Sequence, residues 1–190
     1  MSSVTWPASL VPSAASLRLS TVQRVHASPF GGSEQVVDLL NDRWIMSLTL
    51  SARAGFDKGA QIEAFIAALR GQTNYVALWH FARPSVRGTL ASATAASAAQ
   101  GASAVVLTGS GTLKAGDMLG ISGLLLQVAA DVTVGTSTSV SIVNRLRSAV
   151  SGTVTLTRPT ANFRLTGSPA VSYVPGMSEP VSLDFAEVVA

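Results

Sequence analysis

Few side chains in this 190-residue sequence belong to the types that catalyse reactions or bind metals, and their spacing supports neither role. The histidines are His26 and His80, and no second ligand stands three or four residues from either, as a helical metal site requires. His80 lies between Trp79 and Phe81, a context typical of a hydrogen-bonded structural histidine. Cysteine is absent, which excludes a thiol nucleophile, a zinc–thiolate site and a disulfide.

The sequence contains serines and glycines, but not the flanking residues that complete a nucleophile motif or a phosphate-binding motif. Serine is abundant, but no Gly-x-Ser-x-Gly elbow presents one as a nucleophile, and no Gly-Lys-Ser/Thr sequence forms a P-loop. Gly109-Ser110-Gly111 begins like a dinucleotide-binding loop, but Lys114 stands where the third glycine belongs. We interpret Asp117 as a turn residue that accepts backbone N–H groups. The prediction is therefore a protein that is not an enzyme and has no catalytic residue, cofactor or metal.

One amphipathic helix is predicted, and the rest of the chain must supply the sheet on which it packs. Its predicted span is residues 57–70, with Asp57 as the N-cap and Gly71 as the residue that ends it. Predicted strands on either side, Arg43–Ala52 and Tyr75–Phe81, would make a βαβ-like unit with it. A single helix cannot bury its apolar stripe alone. The stripe has the i, i+3, i+4, i+7 spacing and consists of Ile62, Phe65, Ile66 and Leu69.

Composition changes at Pro84 and Pro159 predict a division into two domains. Residues 1–83 together with 159–190 are predicted to form one domain, the sheet domain, which carries the helix. Residues 84–158 are predicted to be an inserted module, because short apolar segments alternate there with glycine-rich turns, as in small antiparallel barrels and sandwiches. The predicted fold class is therefore mainly β, of the α+β kind with one helix.

Three segments of the sheet domain have more specific predictions. Ser16–Val25 alternates in part between apolar and polar residues and is predicted to be an edge strand. Ser28–Gly32 is predicted to be a turn because of its proline and two glycines. Pro180–Val188 alternates along most of its length and is expected to pair with the N-terminal sheet. That pairing would bring both ends of the sequence into one domain.

The sequence is poor in charge for its hydrophobicity. Charged residues make up 12% of it, about half the globular average, against 47% hydrophobic residues. Such a surface favours an obligate assembly of subunits, and the alternative is a small monomeric β domain rich in Ser, Thr and Ala. Arginine suits protein interfaces because its planar fork makes bidentate contacts. The candidate interface residues are Arg83, Arg87, Arg145, Arg147, Arg158 and Arg164.

Membrane-directed segments are not expected. No apolar run approaches the ~20 residues that span a bilayer. The first ten residues lack the positive and apolar regions of a signal peptide. We therefore expect no membrane insertion.

Several short segments follow one another in a set order over most of residues 42–190. From the N-terminus they are Trp44 in its apolar strand, Ala64-Phe65 and Leu69-Arg70-Gly71 in the helix, Pro84, Arg87-Gly88, Leu113–Asp117, Gln127–Asp131, Asn144–Arg147, Asn162–Leu165, and Phe185 with Glu187. In this order they resemble a family of small proteins encoded in the tail modules of siphophages and related prophages.

The resemblance implies a distal tail, or baseplate hub, protein. It implies an antiparallel β-sandwich hub domain with the helix, and an inserted small β-barrel module of OB-like or galectin-like type. It further implies a ring, most often a homohexamer, between the tail tube and the tail-tip proteins, with DNA only as passing cargo. The protein would then be a structural component of the virion, assembled in the cytoplasm of the bacterial host.

Alternatives stay open within this structural class and outside it. Within the class, the chain could be a tail terminator protein or a tail tube protein, and a long β-hairpin for stacking between rings would favour the tube. Outside the class, residues 84–158 could be a module that binds carbohydrate on a host surface, or nucleic acid. An aromatic-lined groove would mark the first, although residues 84–158 contain no Trp, Tyr or Phe. Basic side chains that converge on one face would mark the second.

Overall fold

The chain is mainly β, with 48% of its residues in strands and 7% in helix. The computed structural model describes residues 2–28, 31–39 and 41–188, and for Arg53 and Ala54 it describes only the backbone. The helix α1 spans Asp57–Leu69. The strands are β1 (Ser3–Val4), β2 (Ala14–Ser20), β3 (Gln23–Ala27), β4 (Glu34–Asp38), β5 (Arg43–Leu50), β6 (Arg53–Ala54), β7 (Tyr75–Leu78), β8 (Ala93–Ala98), β9 (Ala104–Gly109), β10 (Gly111–Leu113), β11 (Met118–Ile121), β12 (Leu124–Gln127), β13 (Val132–Val134), β14 (Thr138–Ser141), β15 (Val150–Thr153), β16 (Ala161–Thr166), β17 (Tyr173–Val174), β18 (Met177–Ser178) and β19 (Val181–Glu187).

A six-stranded sheet in the order β1-β7-β16-β19-β5-β2 is the framework of the molecule. The β1–β7 pair is parallel, and the other neighbouring pairs are antiparallel. The predicted pairing of the last strand with the N-terminal sheet is confirmed, because β19 pairs with β5 from Val181 to Ala186. One face of the sheet is apolar, and α1 packs on it. The core there includes Trp44, Met46, Leu48 and Leu50 of β5 and Ile62, Phe65 and Leu69 of α1.

A second group of buried apolar residues lies within residues 90–156. Five antiparallel strand pairs surround it: β8–β9, β9–β14, β8–β15, β10–β13 and β11–β12. The Ala-rich segment after Gly88 contributes to this core, since Ala93 and Ala95 of β8 are buried in it. Two residues of the same stretch, Met118 and Leu125, belong instead to the core beneath the sheet. The division of the chain at residues 84 and 158 remains a prediction.

The helix differs from the prediction at its N-terminus. Phe56, and not Asp57, is the N-cap residue, and no described side chain makes a capping hydrogen bond there. Asp57 is already helical, so its carboxylate lies in the first turn, where a negative charge favours the helix dipole. The helix ends at Leu69, one residue earlier than predicted. Arg70 and Gly71 follow with φ of 48° and 64°, so the glycine stands at the C′ position as expected.

The predicted βαβ-like unit is wrong. In the sheet, β5 and β7 are separated by β19 and β16, and the three antiparallel steps between them make the two strands antiparallel. The intervening strands come from the C-terminal segment of the chain. A local pattern of strand, helix and strand cannot reveal such an insertion.

A hairpin of β3 and β4 projects from one end of the sheet. The register pairs Ser20 of β2 with Arg43 of β5, and the chain leaves the sheet between these residues to form the hairpin. All ten strand residues of the hairpin are exposed. The predicted edge strand Ser16–Val25 is therefore two strands, of which only β2 lies at the sheet edge. We call residues 23–38 the arm.

The tip of the arm is only partly described. Pro29 and Phe30, in the predicted turn Ser28–Gly32, lie outside the described residues. The backbone N–H of Ser28 donates to the carbonyl oxygen of Ser33 at 3.0 Å, which closes the hairpin.

Candidate functional site

One face of the arm combines aliphatic and acidic side chains. Residues directly opposite each other in an antiparallel pair point to the same face, and alternate residues of a strand share that face. Val25 is paired with Val36, and Ala27 is paired with Glu34. We call this the acidic face of the arm. Its members are Gln23, Val25, Ala27, Glu34, Val36 and Asp38.

The other face of the arm is basic. Arg24 is paired with Val37, and His26 is paired with Gln35. The N–H of Leu39 donates to the carbonyl oxygen of Val22 at 3.0 Å, so the ribbon continues toward the sheet beyond β3 and β4. The two faces of one hairpin thus differ in the sign of their charge.

Large aliphatic side chains of the arm are exposed with no core beneath them. Val25 is 57% exposed and Val36 56% exposed, Val37 is also exposed, and so is Leu39 directly after the arm. A lone exposed valine needs no explanation, but a group of them on a projecting ribbon is typical of a surface that another molecule covers. The arm is therefore the first candidate functional surface.

An aromatic groove of about 430 Å³ is the second candidate. Its floor includes Trp6, whose indole N–H donates to the carbonyl oxygen of Leu10 at 2.8 Å, so the one polar atom of the ring is satisfied. Trp6 also lies edge-on to Phe65 of the helix, with ring centroids 5.1 Å apart. The rim is exposed, and Val11 there is 64% exposed. The principal lining residues are Trp6, Leu10, Val11, Trp79, Phe81 and Arg158.

Arg158 is the one charged side chain among the described residues that line the groove. Its guanidinium carbon lies 5.3 Å from the centroid of the Trp79 ring, a cation–π distance. Its φ of 49° is in the left-handed region, and Pro159 follows it, so this backbone is strained for an arginine. The N–H of Arg158 donates to the carbonyl oxygen of Pro84, which helps to hold this conformation. An exposed cation is thus fixed at the rim of an apolar groove.

Two of the predicted interface arginines are engaged within the chain, around Asp117. The Arg83 guanidinium donates to the carbonyl oxygen of Gly116 at 3.0 Å. Arg87 donates to Asp117 Oδ1 through both its backbone N–H and its Nε, each at 3.1 Å. The N–H of Lys114 donates to Asp117 Oδ2 at 2.8 Å, which confirms Asp117 as a turn acceptor.

Asp117 is held in its charged form although its side chain is only 1% exposed. Burial by itself would raise the pKa of Asp117. The N–H donors of Lys114 and Arg87 and the Arg87 guanidinium outweigh burial and bring the pKa below its ordinary value. Asp117 therefore stabilises its turn as a carboxylate.

His80 also contacts Arg83. Burial and the neighbouring guanidinium both lower the pKa of His80, since each disfavours the imidazolium form. The backbone N–H of Arg83 lies 3.1 Å from His80 Nδ1, which fits a neutral ring that accepts at this nitrogen. These contacts agree with a structural histidine.

The other predicted arginines lie at separate places. Arg147 forms an ion pair with Glu187, Arg158 lies at the groove, and Arg145 is exposed. Arg164 is half-buried and lines a cleft together with Arg43. The structure brings the side chains of Arg83 and Arg87 together at the Asp117 turn. A role of the six residues at an interface stays a prediction.

Sequence reasoning missed both candidate surfaces. The arm had a detectable signal, because its strands carry charged or amide side chains on both faces and so offer no face for a core. The groove had none, because Trp6 is separated by more than seventy residues from Trp79 and Phe81. Only the fold brings those aromatic rings together.

Comparisons with known proteins do not identify a function, so the functional argument rests on the arm and the groove. The chain matches no protein-family model, and no curated protein shows significant similarity to it. Within residues 2–28, 31–39 and 41–188, no three His, Cys, Asp or Glu side chains form a group that could hold a metal ion. Among the described residues, no helix is long and apolar enough to cross a bilayer.

Proposed function

We propose that this chain is a structural subunit of a siphophage tail: a distal tail, or baseplate hub, protein that forms a ring of six copies between the tail tube and the tail-tip proteins. One observation carries the proposal. The arm exposes every one of its ten strand residues, aliphatic ones among them. Such a surface has its apolar side chains covered only when the subunit is assembled. The subunit would act in the virion, after assembly in the cytoplasm of the bacterial host.

A closed ring requires heterologous contacts, in which one patch of each subunit meets a different patch of the next. The arm and the groove are two different apolar patches on one subunit. The two edges of the main sheet, β1 and β2, are also different, and exposed edges are sites where strands of other chains can pair. These features support a ring better than a two-fold dimer, which would use the same patch twice.

The proposed domain arrangement follows the two cores. A hub domain of β-sandwich type would contain the six-stranded sheet and α1. The inserted module would be an OB-like or galectin-like barrel built on the antiparallel pairs around the second core. The ring would work geometrically, as a rigid collar whose lumen lets DNA pass, and this role needs no catalytic residue.

The arm favours a tail tube protein as a second candidate. β2 continues into β3, and β4 returns into β5, so the arm extends a long two-stranded ribbon. Each strand of the arm adds five residues, or about 17 Å, beyond the sheet. A ribbon of this kind could reach an adjacent ring and stack rings into a tube. The size of the assembly distinguishes the candidates, because hub rings stay single while tube rings polymerise.

The test is the native mass of the purified full chain at several protein and salt concentrations, followed by negative-stain imaging. The matched variant removes the arm by joining Val22 to Leu39 through Asn-Gly, a two-residue turn suited to this pair. Because the deleted strands bury no side chain, the variant should keep the circular dichroism and melting temperature of the wild type. We expect closed rings from the wild type and monomers from the variant.

Other outcomes would replace the proposed function or remove the arm from it. Long hollow tubes from the wild type would replace the hub with the tube protein. Rings that persist without the arm would show that the arm is not the assembly element. A wild-type monomer that gains no partner from a tail lysate and binds DNA in low salt would overturn the proposal in favour of a nucleic-acid-binding protein.

A further inference from the structure

We infer that the arm of each subunit docks into the aromatic groove of the next subunit, with Glu34 facing Arg158. This inference rests on the proposed ring and specifies its contact. The partner of both surfaces is a second copy of this chain.

The register of the main sheet places the arm and one part of the groove, formed by Trp79, Phe81 and Arg158, at the same end of the molecule. β2 and β7 both run toward this end, because four antiparallel steps separate them in the sheet. After β2 the chain continues into the arm, and after β7 it continues into Trp79 and Phe81 of the groove. Arg158 reaches the same end because it precedes β16, which runs in the opposite direction.

The two surfaces lie toward opposite edges of that end. The arm extends the β2–β5 pair at one edge, whereas Trp6, Trp79, Phe81 and Arg158 of the groove lie next to the ends of β1, β7 and β16 at the other edge. Leu10 and Val11 complete the groove from the segment that leads to β2. Copies placed side by side in one orientation, as in a ring, therefore bring the arm of one subunit next to the groove of its neighbour. The same placement turns the β2 edge of the first copy toward the β1 edge of the second.

The chemistry of the acidic face fits the groove. Val25 and Val36 supply aliphatic surface for a floor of aromatic rings, and Glu34 supplies an anion for the guanidinium of Arg158. Arg158 is already held over Trp79, so little side-chain freedom is lost when the ion pair forms. The opposite face of the arm would place Arg24 against Arg158, and this repulsion specifies which face docks.

Charge reversal tests the contact in the full chain. Glu34→Arg and Arg158→Glu each place like charges at the contact, and the combined variant restores an opposite pair. We expect each single variant to raise the protein concentration for half-assembly by about tenfold or more, and the combined variant to recover most of that loss. Glu179→Arg and Arg70→Glu are matched controls, since both residues are exposed and lie outside the arm, the groove and the six candidate interface arginines.

The outcomes separate this contact from the ring itself. If wild-type rings form and both single reversals leave them intact, the arm–groove contact is overturned while the ring stands. If the single variants lose the ring but the combined variant does not regain it, the pairing of these two residues is overturned as well. If the wild type forms no ring, the proposed function fails. Melting temperatures of every variant show whether a loss reflects misfolding, and rescue by the second substitution cannot arise from misfolding.

Discussion

Arg147 and Glu187 form a buried ion pair that joins the segment between β14 and β15 to the end of β19. Their side chains are 13% and 3% exposed. Glu187 Oε2 also accepts the backbone N–H of Trp44 at 3.0 Å, so one carboxylate connects β5, β19 and the segment between β14 and β15. Burial raises the pKa of Glu187, and the Trp44 N–H and the Arg147 guanidinium offset only part of that rise. The charged carboxylate therefore depends on Arg147.

Removing one partner of this pair should cost more stability than removing both charges. Arg147→Met leaves a buried carboxylate without its cation, and we expect a loss of about 3–5 kcal/mol in the free energy of unfolding. Arg147→Met combined with Glu187→Gln leaves no buried charge and keeps an acceptor for the Trp44 N–H, so it should be more stable than Arg147→Met alone. Urea unfolding of the four proteins in the cycle measures this. Additive losses would show that the two side chains do not interact.

The stability of the same variant should depend more strongly on pH than that of the wild type, in which the pKa of Glu187 is already raised. Without Arg147, the pKa of Glu187 rises further above its ordinary value of 4.5. The folded protein then holds the proton to a higher pH than the unfolded chain does, so stability falls as the pH rises above 4.5. Urea midpoints of Arg147→Met, measured upward from that pH, should decline relative to those of the wild type. The exposed control Arg145→Met should follow the wild type, and a parallel profile for Arg147→Met would contradict the prediction.

For Asp117 we expect a pH dependence of stability opposite in sign to that of Glu187, because its pKa is lowered and not raised. Its pKa in the folded protein lies below the ordinary value of 3.8, so its contribution to stability is complete above that pH and is lost as the pH falls through the folded-state pKa. Asp117→Asn should cost about 1–3 kcal/mol near neutral pH, because the turn loses charge-assisted hydrogen bonds. The difference from the wild type should shrink in acid. Asp131→Asn, at an exposed carboxylate beside the same turn, should change stability less, and an equal loss would show that burial of Asp117 contributes nothing.

Elements with a strong local period could be predicted from the sequence, whereas contacts between distant segments could not. The spacing of Ile62, Phe65 and Leu69 located α1, and alternation located β5 and β19. Neither pattern states strand order. The hydrogen bond between Trp44 and Glu187 joins residues 143 positions apart. The strand order, in which C-terminal strands lie between N-terminal ones, depends on packing between distant segments, which a local pattern does not show.

The candidate surfaces show the same limit. Arg158 could be predicted as an interface candidate from its residue type. Its position over Trp79 arises because β16, which follows it, pairs with β7, and the sequence does not show this pairing. The charged and amide side chains on both faces of the arm strands indicate that they cover no core, but the sequence does not show that the two strands pair as a hairpin that projects from the sheet. The N-cap error at Asp57 is local: an aspartate suits both the N-cap and the first turn, and the sequence does not distinguish these neighbouring positions.

Trp44 of β5 is hydrogen-bonded to β12, a strand that contributes Leu125 to the core beneath the sheet and Leu126 to the second core. Its indole N–H donates to the carbonyl oxygen of Leu125 at 2.8 Å, and Leu125 itself is buried in the core beneath the sheet. Trp44→Phe removes one of two side-chain donors to this carbonyl, since Asn144 Nδ2 also donates to it at 3.0 Å, so we expect a loss of about 0.5–1.5 kcal/mol from the hydrogen bond. Hydrogen exchange should show earlier opening of β12 relative to β5. Unchanged exchange in β12 would mean that the hydrogen bond from Trp44 to Leu125 does not hold β12 against the sheet.

Gly88 predicts the largest effect of a single methyl group. A Cβ at this position would lie 1.8 Å from the carbonyl oxygen of Thr112, and the facing backbone cannot retreat because Thr89 and Thr112 exchange hydrogen bonds across the same contact. Gly88→Ala should therefore cost about 3 kcal/mol or more. Gly135→Ala is the matched control, since its Cβ would meet nothing closer than the Thr138 hydroxyl at 3.8 Å, and we expect its stability to stay within about 1 kcal/mol of the wild type. Thermal and urea unfolding of both variants measure the difference. Equal stability of the two would show that the backbones at Gly88 and Thr112 can separate without cost.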